Sequence, residues 1–284
     1  MARTHATKSK SSLVGGREMG RVLITGASAG IGAELARVFA KHGHKLVLVA
    51  RSADKLKALA AELKTDFDAD TLVIPADLST AKGVTAVVAG LDKQDAEIDI
   101  LVNNAGVLEV GDFVETPTAD LLNLVNLNVA ALTHLTSLLL PRMVERKFGR
   151  VLNVASLAAF QPLPTMAAYA ASKAYVLALS EALSEELRGA GVKITALCPG
   201  LTDTNMVASI KARSATAASM PSMLVSDPKA VAREAYRALM AGQVIYVPGL
   251  PNRVSAAWAQ VTPRWITRRL TGFAARRTDW AKRT

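Results

Sequence analysis

The sequence contains a single cysteine, Cys198, among its 284 residues. No disulfide can form within the chain, so we expect a reducing, cytoplasmic compartment. No cysteine and histidine spacing suits zinc, and no metal is expected. No motif interleaves aromatic and basic residues as nucleic-acid-binding modules do, so nucleic acid is not an expected partner. The first 20 residues also lack the apolar stretch of a secretory signal.

The formal net charge of the chain is +10, but neither sign of charge is in excess in its central part, residues 21–249. Residues 1–20 carry four basic and one acidic residue, and residues 250–284 carry eight basic and one acidic. Residues 21–249 therefore hold 22 residues of each sign. This distribution predicts a disordered basic leader (1–19), one central domain (20–249) and a basic tail (250–284) that holds all three tryptophans.

Formal charge is also absent from residues 121–140, a stretch long enough to span a membrane. Asn123, Asn126, Asn128 and His134 interrupt it, and each of them would be costly in hydrocarbon. We therefore interpret this stretch as a buried helix rather than a membrane span.

Strand-like and helix-like segments alternate through the central domain. Asp227 and Pro228 are typical of the cap and first position of a helix near its end. The predicted helices include residues 33–42, 81–93, 118–146 and 167–188. The predicted strands are residues 21–25, 45–50, 71–75, 98–102, 150–155, 192–197 and 243–247. Continuous apolar strands that alternate with helices predict an α/β fold. We expect a Rossmann-type, doubly wound, seven-stranded, mainly parallel sheet with helices on both faces.

A glycine-rich turn, Gly26-Ala-Ser-Ala-Gly30-Ile-Gly32, lies between the first predicted strand and helix. Glycines let the backbone approach a pyrophosphate, and amides at a helix N-terminus bind its charge. The spacing departs from the common G-x-G-x-x-G, and a flexible turn is the alternative. Arg51 follows the second strand, where an arginine suits the 2′-phosphate of NADP better than an acidic residue would. A solvated surface charge is the alternative for Arg51.

Tyr169 and Lys173 are four residues apart in a predicted helix and so share one of its faces. A nearby ammonium group favours the phenolate and lowers the pKa of a tyrosine. Such a pair can act as a general acid and base between a carbonyl and an alcohol. The spacing alone is weak evidence, because such pairs are common on helix surfaces. Support comes from other polar residues that follow the predicted strands, where ligands bind in doubly wound sheets.

The chain resembles the short-chain dehydrogenase/reductase family, in its compact, single-domain branch. The motifs that carry the resemblance occur in order over residues 20–249: Thr25-Gly-Ala-Ser-Ala-Gly-Ile-Gly32, Asn103-Asn-Ala-Gly106, Ser156, Tyr169-Ala-Ala-Ser-Lys173 and Pro199-Gly200. The resemblance implies a Rossmann fold, a nicotinamide cofactor and an oxidoreductase of the carbonyl reductase or alcohol dehydrogenase type.

The resemblance also implies roles for individual residues. Tyr169 would exchange the proton, and Ser156 would hydrogen-bond the substrate oxygen. Lys173 would lower the pKa of the tyrosine and hold the nicotinamide ribose. Asn128 would support a water relay to the lysine, with Asn126 as the competing candidate. The implied cofactor residues are Gly26, Ser28, Gly30, Ile31, Gly32, Arg51, Asp77, Leu78, Asn104, Ala105, Gly106, Tyr169, Lys173, Pro199, Gly200 and Thr202. NADP(H) is expected in preference to NAD(H).

Three segments beyond the strand ends are expected to select the substrate: residues 108–113, 157–166 and 203–225. The first two contain no Arg or Lys, which favours a lipophilic ketone or secondary alcohol over a small dianion. The third contains several methionines and is interpreted as either a lid or an ordinary packed helix. The resemblance further implies a homodimer or homotetramer formed through the long helices.

The basic tail offers two interpretations. A helix starting at Pro263 would place Ile266, Leu270 and Phe273 on one face, with arginines around it. Such a helix could dock on the body of the protein or on a second subunit, or it could lie on an anionic membrane as a peripheral contact. The alternatives to an enzyme are a non-catalytic dinucleotide-binding sensor and a membrane-associated interaction protein.

Overall fold

The computed structural model of the protein describes residues 13–14, 17–18, 20–202 and 226–276. Its centre is one parallel sheet of seven strands, as the sequence predicted. The strands are β1 (Arg21–Thr25), β2 (Lys45–Ala50), β3 (Thr71–Pro75), β4 (Ile98–Asn103), β5 (Gly149–Val154), β6 (Val192–Leu197) and β7 (Ile245–Tyr246). A short antiparallel pair, Leu13–Val14 with Arg17–Glu18, lies within the segment expected to be a disordered leader.

The strand order is β3-β2-β1-β4-β5-β6-β7, so the winding direction reverses between β1 and β4. Val22, Leu23 and Ile24 of β1 are completely buried, which is why the strands have continuous apolar sequences. In an open parallel sheet, ligands bind in the crevice beyond the carboxyl ends of the strands at such a reversal. This topology places the ends of β1 and β4 at the centre of the candidate site.

Helices cover both faces of the sheet. The helices are α1 (Gly30–Lys41), α2 (Ala53–Phe67), α3 (Ala81–Lys93), α4 (Thr118–Val125), α5 (Leu132–Glu145), α6 (Ala167–Glu186), α7 (Pro228–Ala241), α8 (Leu250–Val261) and α9 (Arg264–Ala275). One apolar core joins the sheet to α1, α2 and α7, and a second joins it to α3 and α5. Helix α1 begins at Gly30, three residues before the predicted start, because the glycine-rich turn supplies its first turn.

The uncharged stretch, residues 121–140, lies within one continuous helix. This helix consists of α4, a π-helical segment (Asn126–Ala131) and α5. Thr118–Glu145 is long and apolar enough to cross a membrane by length and composition alone. One side of this helix nevertheless packs into the protein, where Leu135, Leu139 and Met143 belong to the core beneath the sheet. The helix is therefore buried along one side only, because Leu122, Val125 and Leu138 are exposed.

The chain after β6 returns to the sheet and then forms the tail. Asp227 caps α7, and its carboxylate accepts hydrogen bonds from the backbone of Lys229 at 3.0 Å and Ala230 at 3.3 Å. Pro228 is the first residue of α7, as predicted. The tail then forms α8 and α9, and its buried residues include Ala256, Ala259 and Thr267.

Candidate active site

The glycine-rich turn brings backbone amides to the carboxyl end of β1. Gly26 and Gly30 have positive φ angles of 65° and 57°, a conformation that glycine adopts without strain. A Cβ atom on Gly32 would lie 2.4 Å from the Gly26 carbonyl oxygen, so no larger residue fits there. Helix α1 has no side-chain cap and no acidic residue in its first turn. Its N-terminal amides can therefore bind an anionic group, and the site fits the pyrophosphate of a dinucleotide.

Thr25 and Asn104 hold this turn against β4. Thr25 Oγ1 accepts hydrogen bonds from the backbone amides of Asn104 at 2.9 Å and Ala105 at 3.0 Å. Asn104 Nδ2 donates to the carbonyl oxygens of Thr25 at 2.9 Å and Gly26 at 3.3 Å. The structure thus uses the side chain of Asn104 to brace the glycine turn. Ser28 and Ile31 lie in the turn, half-buried, and Ile31 packs against the core.

Arg51, Asp77 and Leu78 follow the outer strands β2 and β3. Arg51 is exposed directly after β2. Asp77 Oδ1 accepts hydrogen bonds from the Ser79 hydroxyl at 2.8 Å and from the Ser79 amide at 3.0 Å. These bonds, and the charge of Arg51, hold the pKa of the Asp77 carboxyl below its usual value. Leu78 is buried beside this turn. The arrangement leaves a cation, Arg51, at the mouth of the crevice.

Asn128 lies in the π-helical segment and faces the loop that follows β4. Its Oδ1 accepts from the Val107 amide at 2.9 Å, and its Nδ2 donates to the Val107 carbonyl at 2.9 Å and to Ser172 Oγ at 3.1 Å. Asn126, the competing candidate, is exposed. A π-helical turn shifts the side chains that follow it and is frequent at functional sites. Here it accompanies an asparagine that joins the Val107 loop to α6.

Ser156, Tyr169 and Lys173 converge beyond the carboxyl end of β5. Ser156 caps a 3₁₀ turn (Leu157–Phe160), and its Oγ accepts from the Ala158 amide at 3.1 Å. Tyr169, in the first turn of α6, has its hydroxyl beside Ser156. Lys173 Nζ donates to the Val154 carbonyl at 2.8 Å and lies 5.8 Å from the centre of the Tyr169 ring. Lys173 is buried and the other two side chains are half-buried, and together they form a candidate proton-transfer group.

Burial dominates the electrostatics of this group. Burial raises the pKa of the Tyr169 hydroxyl, while the neighbouring Ser156 side chain opposes the rise. Burial also lowers the pKa of Lys173 to about 8, which the neighbouring Cys198 opposes. The sequence predicts that Lys173 lowers the pKa of Tyr169, whereas burial raises that pKa in this structure. The tyrosine is therefore protonated at neutral pH and suited to donate a proton.

A buried polar ladder behind the site was not identified from the sequence. Asn103 Nδ2 donates to Asn153 Oδ1 at 2.9 Å and to Thr136 Oγ1 at 3.0 Å. Asn153 Nδ2 then donates to Ser180 Oγ at 2.9 Å. The ladder joins β4 and β5 to α5 and α6, and so fixes the helix that carries Tyr169. Isolated asparagines at strand ends are the only sequence signal for it.

The segment after β6 meets the tail at the edge of the site. Thr202 is buried, and its Oγ1 donates to the Gly200 carbonyl at 3.2 Å. The Pro199 carbonyl accepts from the Leu157 amide at 2.9 Å. A Cβ atom on Gly200 would lie 2.8 Å from Asn252 of α8, so the tail packs against this edge. The expected substrate segment 203–225 lies outside the described residues.

Gly106 lies between the loop after β4 and the proton-transfer group. A Cβ atom there would lie 3.1 Å from Asn128 Oδ1 and 3.5 Å from Lys173 Nζ. Ala105, just before it, packs against the core. The structure thus brings the predicted residues from β1, β4, β5, α6 and the segment after β6 to one edge of the sheet.

An open cleft of about 570 Å³ lies beside this edge. Its walls come from the segment between Ser156 and Tyr169, from the start of α6, and from α9. The lining residues are Ala159, Gln161, Pro162, Leu163, Pro164, Ala167, Ala170, Ala171, Ala174, Arg264, Trp265 and Arg268. The wall is largely apolar, with two arginines contributed by the tail. Sequence reasoning did not place the tail in this position.

A sequence profile of the short chain dehydrogenase family matches residues 20–215. The chain belongs to this family. Oxidoreductase UcpA from Salmonella typhimurium is 38% identical to this short-chain dehydrogenase over 210 residues, which cover 74% of the chain and 79% of UcpA. These matches establish an oxidoreductase family that acts on CH–OH and C=O groups.

Solved structures of short-chain dehydrogenases share the fold. A short-chain dehydrogenase from Sphingobium yanoikuyae in complex with NADPH is 34% identical, with a TM-score of 0.74 over 90% of this chain and 95% of that one. The bulky-bulky ketone specific alcohol dehydrogenase from Comamonas testosteroni is 31% identical, with a TM-score of 0.72 over 90% of this chain and 93% of that one. The family generally binds small molecules and often forms oligomers, and the likeness indicates a nicotinamide dinucleotide cofactor.

Proposed function

We propose that this short-chain dehydrogenase transfers a hydride between NADP(H) and a lipophilic ketone or secondary alcohol, with Tyr169 as the general acid and base. The observation that carries the proposal is that Tyr169 lies beside Ser156, with the buried Lys173 one helical turn further on and its Nζ 5.8 Å from the centre of the Tyr169 ring. A protein that only sensed the dinucleotide would not need this group.

The dinucleotide would lie along the carboxyl ends of the strands, where the glycine-rich turn follows β1. The α1 amides and the close approach at Gly32 would receive its pyrophosphate. Asp77 and Leu78 would lie beside the adenine, and Lys173 and Thr202 near the nicotinamide end. The cofactor supplies the hydride in reduction and accepts it in oxidation.

The chain itself supplies the proton and the oxyanion contact. In reduction, the Tyr169 hydroxyl donates its proton to the carbonyl oxygen as that oxygen gains charge. The Ser156 hydroxyl donates a hydrogen bond to the same oxygen. Lys173 stabilises the phenolate that remains, and Asn128 holds the adjacent loop through Val107. In oxidation the same groups act in reverse, and Tyr169 accepts the alcohol proton.

Preference for NADP over NAD is assigned to Arg51, which is exposed at the end of β2. Arg51→Ala should raise the KM for NADPH by about 10-fold or more while leaving that for NADH nearly unchanged, because only NADPH carries the 2′-phosphate. Steady-state kinetics with both cofactors measure this. Lys93→Ala, at the far end of α3, is the matched control. Equal effects of Arg51→Ala on both cofactors would contradict the assignment.

The lipophilic substrate class is supported by the largely apolar wall of the cleft and by the absence of Arg and Lys from residues 108–113 and 157–166. The two arginines in the cleft wall, Arg264 and Arg268, come from the tail. The Comamonas relative, specific for bulky-bulky ketones, supports the same class. Turnover of bulky apolar ketones should exceed that of sugars and charged acids in an NADPH oxidation assay. Turnover of a sugar or charged acid alone would contradict this substrate class.

A homodimer or homotetramer formed through the long helices fits the exposed apolar residues there. Leu122, Val125 and Leu138 are exposed by 57%, 43% and 36%, and Tyr175 of α6 is exposed by 39%. Burial of this face between copies would remove the apolar area from water. Analytical ultracentrifugation measures the oligomer.

We also propose a cytoplasmic location, because the chain has a single cysteine and cannot form a disulfide within itself.

A further inference from the structure

Helix α8 turns its small side chains toward the protein and its large apolar side chains toward solvent. Ala256 and Ala259 are buried, with 4% and 9% of their surface exposed. The large side chains are exposed by 72%, 62%, 47% and 80%, in the order Leu250, Val254, Trp258 and Val261. The spacing of four, four and three residues places these large residues in one stripe along the helix. The stripe lies opposite the alanines, which reverses the usual orientation of an amphipathic surface helix.

Helix α9 continues the same pattern. Thr267 is only 2% exposed, and its hydroxyl is satisfied by the Arg264 carbonyl at 3.0 Å. Trp265, Leu270 and Phe273 are each more than half exposed, at 56%, 51% and 51%. We call the exposed apolar residues of α8 and α9, together with the arginines beside them, the tail surface. Seven large apolar side chains of two consecutive helices are therefore largely exposed, and one of them, Trp265, also lines the cleft beside the site.

The tail surface also holds most of the excess positive charge of the described chain. Arg264, Arg268, Arg269 and Arg276 are exposed. No ion pair joins them to any residue that the structure describes. The guanidinium of Arg269 instead lies 5.6 Å from the centre of the Trp265 ring. Since residues 21–249 are formally neutral, this charge is local to the tail.

We propose that the tail surface docks on an anionic lipid bilayer. Outward-facing Trp, Leu and Phe side chains can enter the boundary between headgroups and acyl chains, and the arginines can contact acidic headgroups. A second copy of the chain fits less well, because two tail surfaces face to face would bring their arginines together. The exposed apolar face of α4–α6 is available for self-association instead. The docking proposal does not depend on the proposed reaction.

The test is sedimentation of the full chain with vesicles of phosphatidylcholine alone and of phosphatidylcholine with phosphatidylserine. We expect binding to the anionic vesicles, weakened by added salt. Replacing Arg264, Arg268 and Arg269 by Gln should weaken binding about 100-fold, because each arginine near the surface contributes about 1 kcal/mol. The double variant Val254→Ser and Trp258→Ser should also weaken binding, without any change in charge.

The matched control replaces Lys57, Lys82 and Lys93 by Gln, which removes three exposed charges from α2 and α3. It should bind vesicles like the unmodified protein, and unchanged thermal unfolding would show that each variant is folded. Equal sedimentation with neutral and anionic vesicles would overturn the proposal. So would full binding by the arginine variant. If the Val254 and Trp258 variant instead lowers the molecular mass of the lipid-free protein, the tail surface joins copies of the chain.

Discussion

At the scale of single residues, Asn128 shows how one side chain ties α6 to a loop. Its amide forms two hydrogen bonds with Val107 and one with Ser172, one residue before Lys173. It is only 2% exposed, so water cannot easily replace these partners. Loss of the amide would leave both backbone groups of Val107 without their partner.

We expect Asn128→Ala to lower the free energy of unfolding by about 1–3 kcal/mol, because buried polar groups become unsatisfied. The turnover number should fall as well, since the loop beside Lys173 loses its support. Asn126→Ala is the matched control, because Asn126 is exposed in the same π-helical segment. Chemical denaturation and steady-state kinetics on both variants measure these effects. Equal losses for the two variants would show that Asn128 has no special positioning role.

The types of residue at the site were predictable from sequence, but their environments were not. The Tyr169 and Lys173 spacing predicts a shared helix face, and the structure places them there. The sequence does not report how deeply each group is buried. Burial is what raises the pKa of Tyr169 and lowers that of Lys173 to about 8. For the same reason, sequence reasoning did not see that the side chain of Asn104 braces the glycine turn.

At the scale of elements, the glycine turn and the start of α1 act as one unit. Gly32 lies within α1, yet it approaches both the Gly26 carbonyl and the Asn104 side chain. A Cβ atom there would lie 2.5 Å from Asn104 Nδ2. Any side chain would push the turn away from β4 and move the uncapped amides at the start of α1, where we propose that the pyrophosphate binds.

Gly32→Ala should weaken NADPH binding by about 10-fold or more, because a displaced turn loses its charge-assisted contacts with phosphate. Gly272→Ala is the matched control, since Gly272 is also helical and, among the described residues, only the Arg276 side chain lies near its added methyl group. Isothermal titration with NADPH measures the difference. Unchanged affinity in the Gly32 variant would mean that the turn does not bind the dinucleotide.

Strands β1, β2, β3 and β6 have the predicted bounds, because their apolar runs end at residues of clearly different character. Strand β7 is shorter than predicted and includes only Ile245–Tyr246. The π-helical segment has no periodicity of its own within an apolar helix, so the sequence did not reveal it. The position of α9 beside the cleft depends on tertiary packing, which local sequence patterns do not encode.

At the scale of the whole molecule, His44 joins three elements on one side of the sheet. His44 directly precedes β2. Its ring packs edge-to-face with Phe39 of α1, with the ring centres 5.3 Å apart, and its Nε2 lies 3.4 Å from the hydroxyl oxygen of Tyr236 in α7. Burial and the neighbouring His42 lower its pKa from 6.5 to about 4. The folded protein therefore keeps His44 neutral at pH values where the unfolded chain binds a proton.

This difference predicts a loss of stability in mild acid. Between pH 6.5 and 4 the unfolded state binds more protons at His44, so the free energy of unfolding should fall as the pH falls. The slope contributed by His44 approaches about 1.4 kcal/mol per pH unit. His44→Gln should show a correspondingly flatter dependence in denaturation experiments across this range. Parallel curves for the two proteins would contradict the assignment.

The central claim for the whole enzyme is that the Tyr169 hydroxyl carries the proton in a cofactor-linked reduction. Tyr169→Phe removes that hydroxyl and keeps the ring that packs beside Lys173. The most direct measurement is NADPH oxidation by the Tyr169→Phe variant with a bulky apolar ketone, alongside NADPH affinity. The account predicts a loss of turnover of about 100-fold or more with NADPH binding retained. Turnover at the rate of the unmodified enzyme would contradict it.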